Sequence, residues 1–370
     1  MVCLLLVAAP LTACGAASSA NWAVFRGNSR QTGVAMSDLP AGLELLWTYE
    51  TESSIRSTAA IVDGAVYVGT DDMELLSLDL DTGKLRWRYK MEGAVEASPG
   101  VRGGRVYLGD NYGFFHAVDA ETGSGQWKHE TYDKIISSAN FSEDSVLFGS
   151  YDGALYCLDQ KTGEQRWNYE ISAPVHCSPC LADGNTFIAG CDGMLHVVDV
   201  NSGEQVRGTD AGARVAASPA YTGKYVFLAT FEGDMMAIDP VMGETVWRVS
   251  TGESGGITYS SPAVSGDTVI FGGGDGVVRG LASETGDEKW QYRTRAEVDG
   301  SPVIVGDRVF VGSGDGNLYA FDLASGKKLW IFEAGAEIVA SPAVGQNRLI
   351  IGTLDGALYC FGAKQPKNKN

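Results

Sequence analysis

From residue 43 to residue 362 the chain alternates apolar and polar residues in short runs, and no stretch keeps the spacing of an amphipathic helix. Gly104-Arg-Val-Tyr-Leu-Gly109 and Phe114-Phe-His-Ala-Val-Asp119 are typical. Side chains on a strand point alternately to opposite faces, so a period of two predicts strands. Asp63-Gly64, Gly103-Gly104, Asp183-Gly184 and Gly306-Asp307 sit where two-residue hairpins need positive φ. Thr82-Gly83, Thr122-Gly123, Thr162-Gly163 and Thr285-Gly286 place a glycine where a longer hairpin loop ends left-handed. The predicted unit is four strands joined by three hairpins.

The unit recurs with a period of 40 residues. Trp47, Trp87, Trp127 and Trp167 are 40 apart, Arg207 takes the next slot, and Trp247, Trp290 and Trp330 complete eight positions, with one interval of 43. A Ser/Thr landmark, mostly followed by proline, keeps step at Thr58, Ser98, Ser138, Ser178, Ser218, Ser261, Ser301 and Ser341. So does an acidic or aromatic residue, usually before glycine, at Asp72, Tyr112, Asp152, Asp192, Glu232, Asp275, Asp315 and Asp355. A four-stranded unit cannot bury both faces alone, so the units pack around an axis as an all-β, eight-bladed β-propeller of four-stranded antiparallel blades. The chain ends indicate how the ring closes. Leu43-Glu-Leu-Leu-Trp47-Thr-Tyr49 is in register with the outermost strand of a blade yet has no blade before it, whereas the final copy, Ile338 to Phe361, stops after three strands. The N-terminal strand is therefore expected to complete the last blade and cover its open edge.

Composition changes this picture little. A length of 370 residues suggests two or three domains, but the repeat gathers it into one ring. The 48 glycines serve turns repeated eight times, and seven of the eight tryptophans mark blades. Lys and Arg number 28 against 46 Asp and Glu, a net charge of −18 that repels phosphate backbones and excludes unspecific nucleic-acid binding and a basic membrane-surface role.

The opening run MVCLLLVAAPLTACGAASS is shorter than the roughly 20 apolar residues of a membrane span and suits an export signal. Leu11-Thr12-Ala13-Cys14 resembles the lipobox of bacterial lipoproteins. That resemblance implies a signal peptide at 1–13, lipidation of Cys14 and a tether, so the expected domains are 1–13, a tether and pre-ring segment at 14–42, the repeat-built propeller at 43–362 and a polar tail at 363–370. Gly15 after the cysteine resembles outer-membrane sorting.

Ala117-x-Asp119-x-x-Thr122-Gly123-x-x-x-Trp127, with copies at Cys157–Trp167, Ala237–Trp247 and Ala320–Trp330, resembles the tryptophan-docking repeat of the pyrroloquinoline-quinone (PQQ)-like propeller family. Asn21-Trp22-x-x-Phe25-Arg26-Gly27-Asn28 with Gln31-Thr32-Gly33 resembles the segment that precedes the ring in bacterial members. Together with the lipobox, these make the chain most similar to the BamB-type branch. The resemblance implies a monomeric, non-catalytic scaffold for protein–protein interaction in the bacterial cell envelope. It would be a periplasm-facing lipoprotein of the outer membrane, touching the membrane only through its anchor and serving outer-membrane protein assembly. Its partners would be envelope proteins, the outer-membrane assembly machinery or unfolded β-barrel chains, which a sheet edge or loop face could recruit as an added strand. The same family includes quinoprotein dehydrogenases that hold PQQ between a tryptophan face and a disulfide of adjacent cysteines, with Ca²⁺ at the quinone carbonyls. This chain has neither adjacent cysteines nor long inter-blade insertions. A PQQ- or metal-dependent oxidoreductase and a polysaccharide- or small-ligand-binding propeller stand as alternatives, and no cofactor is the leading expectation.

The chemistry-bearing residues are sparse. Cys177, Cys180 and Cys191, near His176 and His196, have metal-like composition, but the register argues against a site. Cys177 takes the slot of Ala97 and Ala217, Cys180 that of Gly100, Ala220 and Ala263, and Cys157 and Cys360 that of Ala117, Ala237 and Ala320. Cysteine here reads as a small hydrophobe, and neither metal ligands nor catalytic residues are expected. His116 and His196 share a slot with Tyr156, Tyr319 and Tyr359, which favours packing. Gly272-Gly-Gly-Asp-Gly276 has no helix after it and cannot cradle a phosphate. More informative are the residues two before each Ser/Thr landmark: Arg56, Glu96, Ile136, His176, Ala216, Tyr259, Asp299 and Val339. They are expected to begin the innermost strands, face the channel mouth and differ between blades in a way packing does not require. Arg56 and His176 are candidate contacts for acidic groups, Glu96 and Asp299 for basic groups or a cation, and Tyr259 ends the one blade insertion, Gly252 to Tyr259, on the same face.

Overall fold

The computed structural model of the protein describes residues 20–251 and 258–363. Eight four-stranded antiparallel sheets follow one another along the chain. In blade 1, Ala60–Val62, Ala65–Thr70, Glu74–Asp79 and Leu85–Lys90 run from the inside of the ring outward, and later blades repeat that order. The middle strands are buried on both faces, because each blade packs between two others. Their apolar side chains make the inter-blade cores. The outermost strands alternate exposed and half-buried residues, as in Leu85–Lys90.

Ring closure takes the expected form. The last blade consists of Ala343–Gly345, Arg348–Gly352 and Ala357–Gly362, and Glu44–Glu50 pairs antiparallel with its third strand, from Glu44 opposite Gly362 to Glu50 opposite Ala357. Its first and last strands are thus contributed from opposite ends of the chain.

The tryptophans dock blade to blade by one device. The Trp127 indole donates to the Gln160 carbonyl of the next blade at 3.2 Å, and Trp47, Trp87, Trp167, Trp247 and Trp290 make the corresponding bond. Each indole lies on the glycine that ends the next blade's outer hairpin. At Gly163 under Trp127, φ is +74° and a Cβ would fall 2.6 Å from the ring, so both backbone and space demand glycine. A small residue stands opposite each tryptophan on the neighbouring strand, followed by a shift in register: Ala117 pairs with Trp127, Cys157 with Trp167 and Cys360 with Trp47. Those two cysteines are there for their size. Trp330 departs from the device, because the hairpin it would dock on is replaced by the two chain ends. It packs edge-to-face on Phe361 instead. Arg207 keeps part of the docking geometry, laying its side chain against Gly243 and donating to the Met242 carbonyl at 3.4 Å.

Residues 20–37 form a strip across one end of the ring. The innermost strands would present unpaired amides there, and the strip accepts them. Val101 donates to Ala23, Leu181 to Ser29, Tyr221 to Arg30, Val264 to Thr32 and Ile304 to Gly33, while Ile61 and Trp22 exchange two bonds. Blade 3 joins through the Asn140 side chain to the Ser29 carbonyl, and blade 8 through the Gln346 amide to Ala20. Every blade is therefore fastened to this floor. Trp22, Arg26 and Gln31 are fully buried within it. The Arg26 guanidinium reaches the Pro262 carbonyl at 3.1 Å, and burial without a carboxylate lowers its pKa to about 9.

Candidate functional site

The opposite end of the ring is a funnel. All eight residues two positions before the Ser/Thr landmarks line one cavity of about 510 Å³ at the channel mouth. They are not in the innermost strands, as expected from sequence, but in the extended segments that lead into them: Arg56 precedes the strand Ala60–Val62 and Asp299 precedes Val303–Val305. An extended segment frees the side chain from a ladder, so each can point to the axis.

Lys134, Tyr151, Cys191 and Phe231 also line this cavity, and the sequence reading missed them. Tyr151, Cys191 and Phe231 share one repeat position, directly before the acidic landmark, with Asp71, Asn111, Gly274, Gly314 and Leu354. Backbone bonds set this second tier beside the first: the Tyr151 amide donates to Lys134, Phe231 to Arg214 and Gly314 to Glu297. Its variety between blades was a readable signal.

The funnel has two unlike halves. In one, the Tyr151 hydroxyl lies 2.6 Å from His176 Nδ1, and the His176 ring stacks on Tyr259 with centroids 6.0 Å apart. Tyr259 in turn meets Phe231 edge-to-face at 5.8 Å. His176 and Tyr259 belong to blades that are not adjacent, and they meet because the slot between them is Ala216. The Lys134 ammonium sits over Tyr151 and the Arg214 guanidinium over Phe231. Burial, reinforced by Lys134, lowers the His176 pKa to about 4, so at neutral pH the ring offers an aromatic face rather than a positive charge.

The other half is acidic. Arg56 is held by Asp71 at 3.1 Å, and Glu96 accepts a 2.7 Å bond from Asn111. Asp299 has no ion-pair or hydrogen-bond partner among the described residues. Burial, with Glu297 and Glu337 adding repulsion, raises its pKa to about 6. A carboxyl whose pKa is higher folded than unfolded (about 3.9) stabilises the fold below the unfolded value, and that contribution is lost as pH rises through 6. Asp299→Asn should therefore stabilise the protein by about 1–2 kcal/mol at pH 7.5, discounting for partial solvent access, and leave it unchanged near pH 4. Urea melts at the two pH values check this; equal shifts at both would contradict it.

Beneath the mouth, the Ser/Thr landmarks form a closed circle. The Thr58 amide donates to Ser98 Oγ, Ser98 to Ser138, Ser138 to Ser178, Ser178 to Ser218, Ser218 to Ser261, Ser261 to Ser301 and Ser301 to Ser341. The Ser341 amide closes it on Thr58 Oγ1 at 3.2 Å. Each of these buried hydroxyl oxygens accepts one amide bond, so its proton turns elsewhere. The circle lines a cavity of about 140 Å³ that Phe25 of the floor strip also lines. A uniform ring thus lies under a mouth whose eight positions all differ.

Elsewhere, Cys177 and Cys180 are buried free thiols, and burial raises the Cys177 pKa to about 12, which disfavours a thiolate. The three cysteines of blade 4 do not gather ligand atoms in one place. The group that does is one the sequence reading did not single out: Glu92, Asp110 and His116. Asp110 stands where other blades carry Ser, Thr or Gly, and its pair with His116 replaces the landmark pairs Asp152–Tyr156 and Asp192–His196. Its oxygens already accept from the Tyr112, Phe114 and Gly93 amides, and Lys128 holds Glu92. His116 also lies 3.2 Å from Glu92 Oε2, an oxygen that accepts no hydrogen bond, so the three side chains are tied mainly to one another and to neighbouring amides. Cys14 and the expected signal peptide, most of the insertion (252–257) and most of the expected polar tail lie outside the described residues.

A family model described as outer membrane protein assembly factor BamB matches residues 31–174, 116–240 and 191–369. No curated protein sequence matches. Among solved structures, BamB from Moraxella catarrhalis is 20% identical with a TM-score of 0.74, over 87% of this chain and 100% of that one. Quinohemoprotein alcohol dehydrogenase from Comamonas testosteroni is 15% identical with a TM-score of 0.80, over 96% and 82%. The computationally designed protein Ika8 is 18% identical with a TM-score of 0.77, over 87% and 100%. At such identities the likeness is one of fold, and function has to be argued from the site.

PQQ held in a tryptophan and disulfide sandwich does not fit this mouth. Each described tryptophan lies on an outer strand or in the floor. The described cysteines are free thiols, and the stacked pair of His176 and Tyr259 admits no third ring between them.

Proposed function

Because this chain belongs to the family of outer membrane protein assembly factor BamB, we propose that it is a non-catalytic, protein-binding scaffold of the bacterial cell envelope, whose channel mouth is the face that meets a partner. The observation that carries this reading is the contrast between two rings of the same repeat. The hydroxyl circle is alike in all blades, as packing and closure require, while the tier above it carries eight different residues and an aromatic band. The mouth breaks the symmetry that the circle beneath it keeps, as contact with something asymmetric requires. No nucleophile is paired with a base and an orienting group among the described mouth residues, which supports binding over catalysis. The outer strands support the mouth over lateral strand addition, because charged side chains such as Arg86, Arg88 and Lys90 blunt their edges. Export, a lipid on Cys14, an outer-membrane location and a part in outer-membrane protein assembly belong to the same proposal.

The test is site-directed photo-crosslinking in native envelopes. A benzoylphenylalanine in place of Phe231 should give a discrete adduct with an envelope protein, and one in place of Leu85 on an outer strand should give none. Adducts from the outer strand alone would move the docking face away from the mouth.

A further inference from the structure

We propose that the channel mouth seats one organic cation, an ammonium or guanidinium group, between the Asp299 carboxylate and the aromatic faces of Tyr259 and His176. This rests on reading the mouth as a binding face and names the chemistry it selects.

The charges at the mouth are unevenly spent. Arg56 is paired with Asp71, while Lys134 and Arg214 lie over aromatic rings. Among the described charged groups that line the shared cavity, Asp299 has only like charges near it, Glu297 and Glu337. A half-buried carboxylate without a partner is unfavourable, and a cation entering the cavity removes that penalty. On the adjacent blade Tyr259 remains 41% exposed although it stacks on His176. The His176 ring, with its pKa lowered by burial, carries no charge at neutral pH, and aromatic ring faces such as these attract cations. The channel below adds a second, independent demand. Its eight hydroxyls are at least nine-tenths buried, line the cavity and use one lone pair each, leaving another lone pair and a proton without a partner among the described residues. Such a wall accepts the N–H groups of a cation, or the waters around it, without adding charge. An anion would face Asp299 and Glu96 in a protein of net charge −18.

The cation can come from a lysine or arginine of an extended polypeptide or from a free amine. The purified full chain is titrated at pH 7.5 with acetyl-Gly-Gly-Lys-Gly-Gly-amide, its Arg and Glu counterparts, and putrescine, following tyrosine ring resonances. Asp299→Asn should weaken the cationic probes at least tenfold, and so should Tyr259→Ala, while Tyr259→Phe retains them. Glu121→Gln, an exposed turn carboxylate on the outer side of blade 2, controls for general attraction and should change nothing. Peptide binding with weak putrescine binding identifies a polypeptide source, and the reverse a free amine. The assignment is overturned if Asp299→Asn leaves the affinities unchanged, or if the Glu peptide binds as well as the Lys peptide. Asp299→Asn should fold at least as well as the parent, so lost binding is not lost structure. Crosslinks from Phe231 without cation binding would leave the scaffold reading standing and remove only this one.

Discussion

Removing residues 43–50 is expected to abolish the cooperative unfolding transition of the whole ring. The segment supplies the outermost strand of the last blade, pairing from Glu44 to Glu50 with Gly362 to Ala357. It also carries Trp47, whose indole docks on Gly83 and donates to the Leu80 carbonyl of blade 1 at 2.9 Å. Its loss opens one blade edge and one inter-blade seam together. Removing a packed tryptophan alone costs about 3–5 kcal/mol, against a typical whole-domain stability of about 5–15 kcal/mol, so loss of the ladder and the dock consumes most of what holds the ring. Near-UV circular dichroism through a thermal melt reads the outcome. A truncated chain that melts like the full one, with the same sharpness, would show that the ring does not depend on this closure.

Trp22→Ala is expected to have the next largest effect, a destabilisation of about 3–5 kcal/mol. Trp22 is 1% exposed, exchanges two backbone bonds with Ile61 and fills the space over Gly27, where even a Cβ would fall 2.5 Å from the indole. The loss should not stay local. The floor strip is held to each blade mainly by single bonds, so a cavity at one anchor frees the strip from the amides it covers, and they become orphaned donors. Urea unfolding measures the total, and limited proteolysis locates it. Cleavage should appear within residues 20–41 before any cut in the blades. A change below about 1 kcal/mol would place the substitution among ordinary surface effects and show that the floor is not a structural member.

Much of this was legible in the sequence because a repeat averages out local ambiguity. One run such as Phe114-Phe-His-Ala-Val-Asp119 could belong to many folds, but eight copies in register leave only a closed ring, and the unmatched ends show which strand closes it. Register also accounted for Cys157, Cys177, Cys180 and Cys360, whose counterparts are mostly Ala and Gly and which are there for their size, as Cys157 opposite Trp167 shows. The floor strip was less legible. Its residues repeat nothing, and their partners lie from 39 residues away, in Ile61, to more than 300, in Gln346.

The binding face divides in the same way. The sequence by itself determined the eight-bladed ring, the docking tryptophans and the eight mouth positions, because all of these follow from periodicity along the chain. Only the tertiary structure decided what those positions do together. It stacked His176 on Tyr259 across the gap that Ala216 leaves, tied Arg56 to Asp71, brought in Tyr151 and Phe231 from a second tier and left Asp299 without a partner among the described residues. The reason is geometric: converging on an axis joins residues that are 40, 80 or 120 positions apart, and which of them touch depends on side-chain size and charge across the channel, which a period along the chain does not encode.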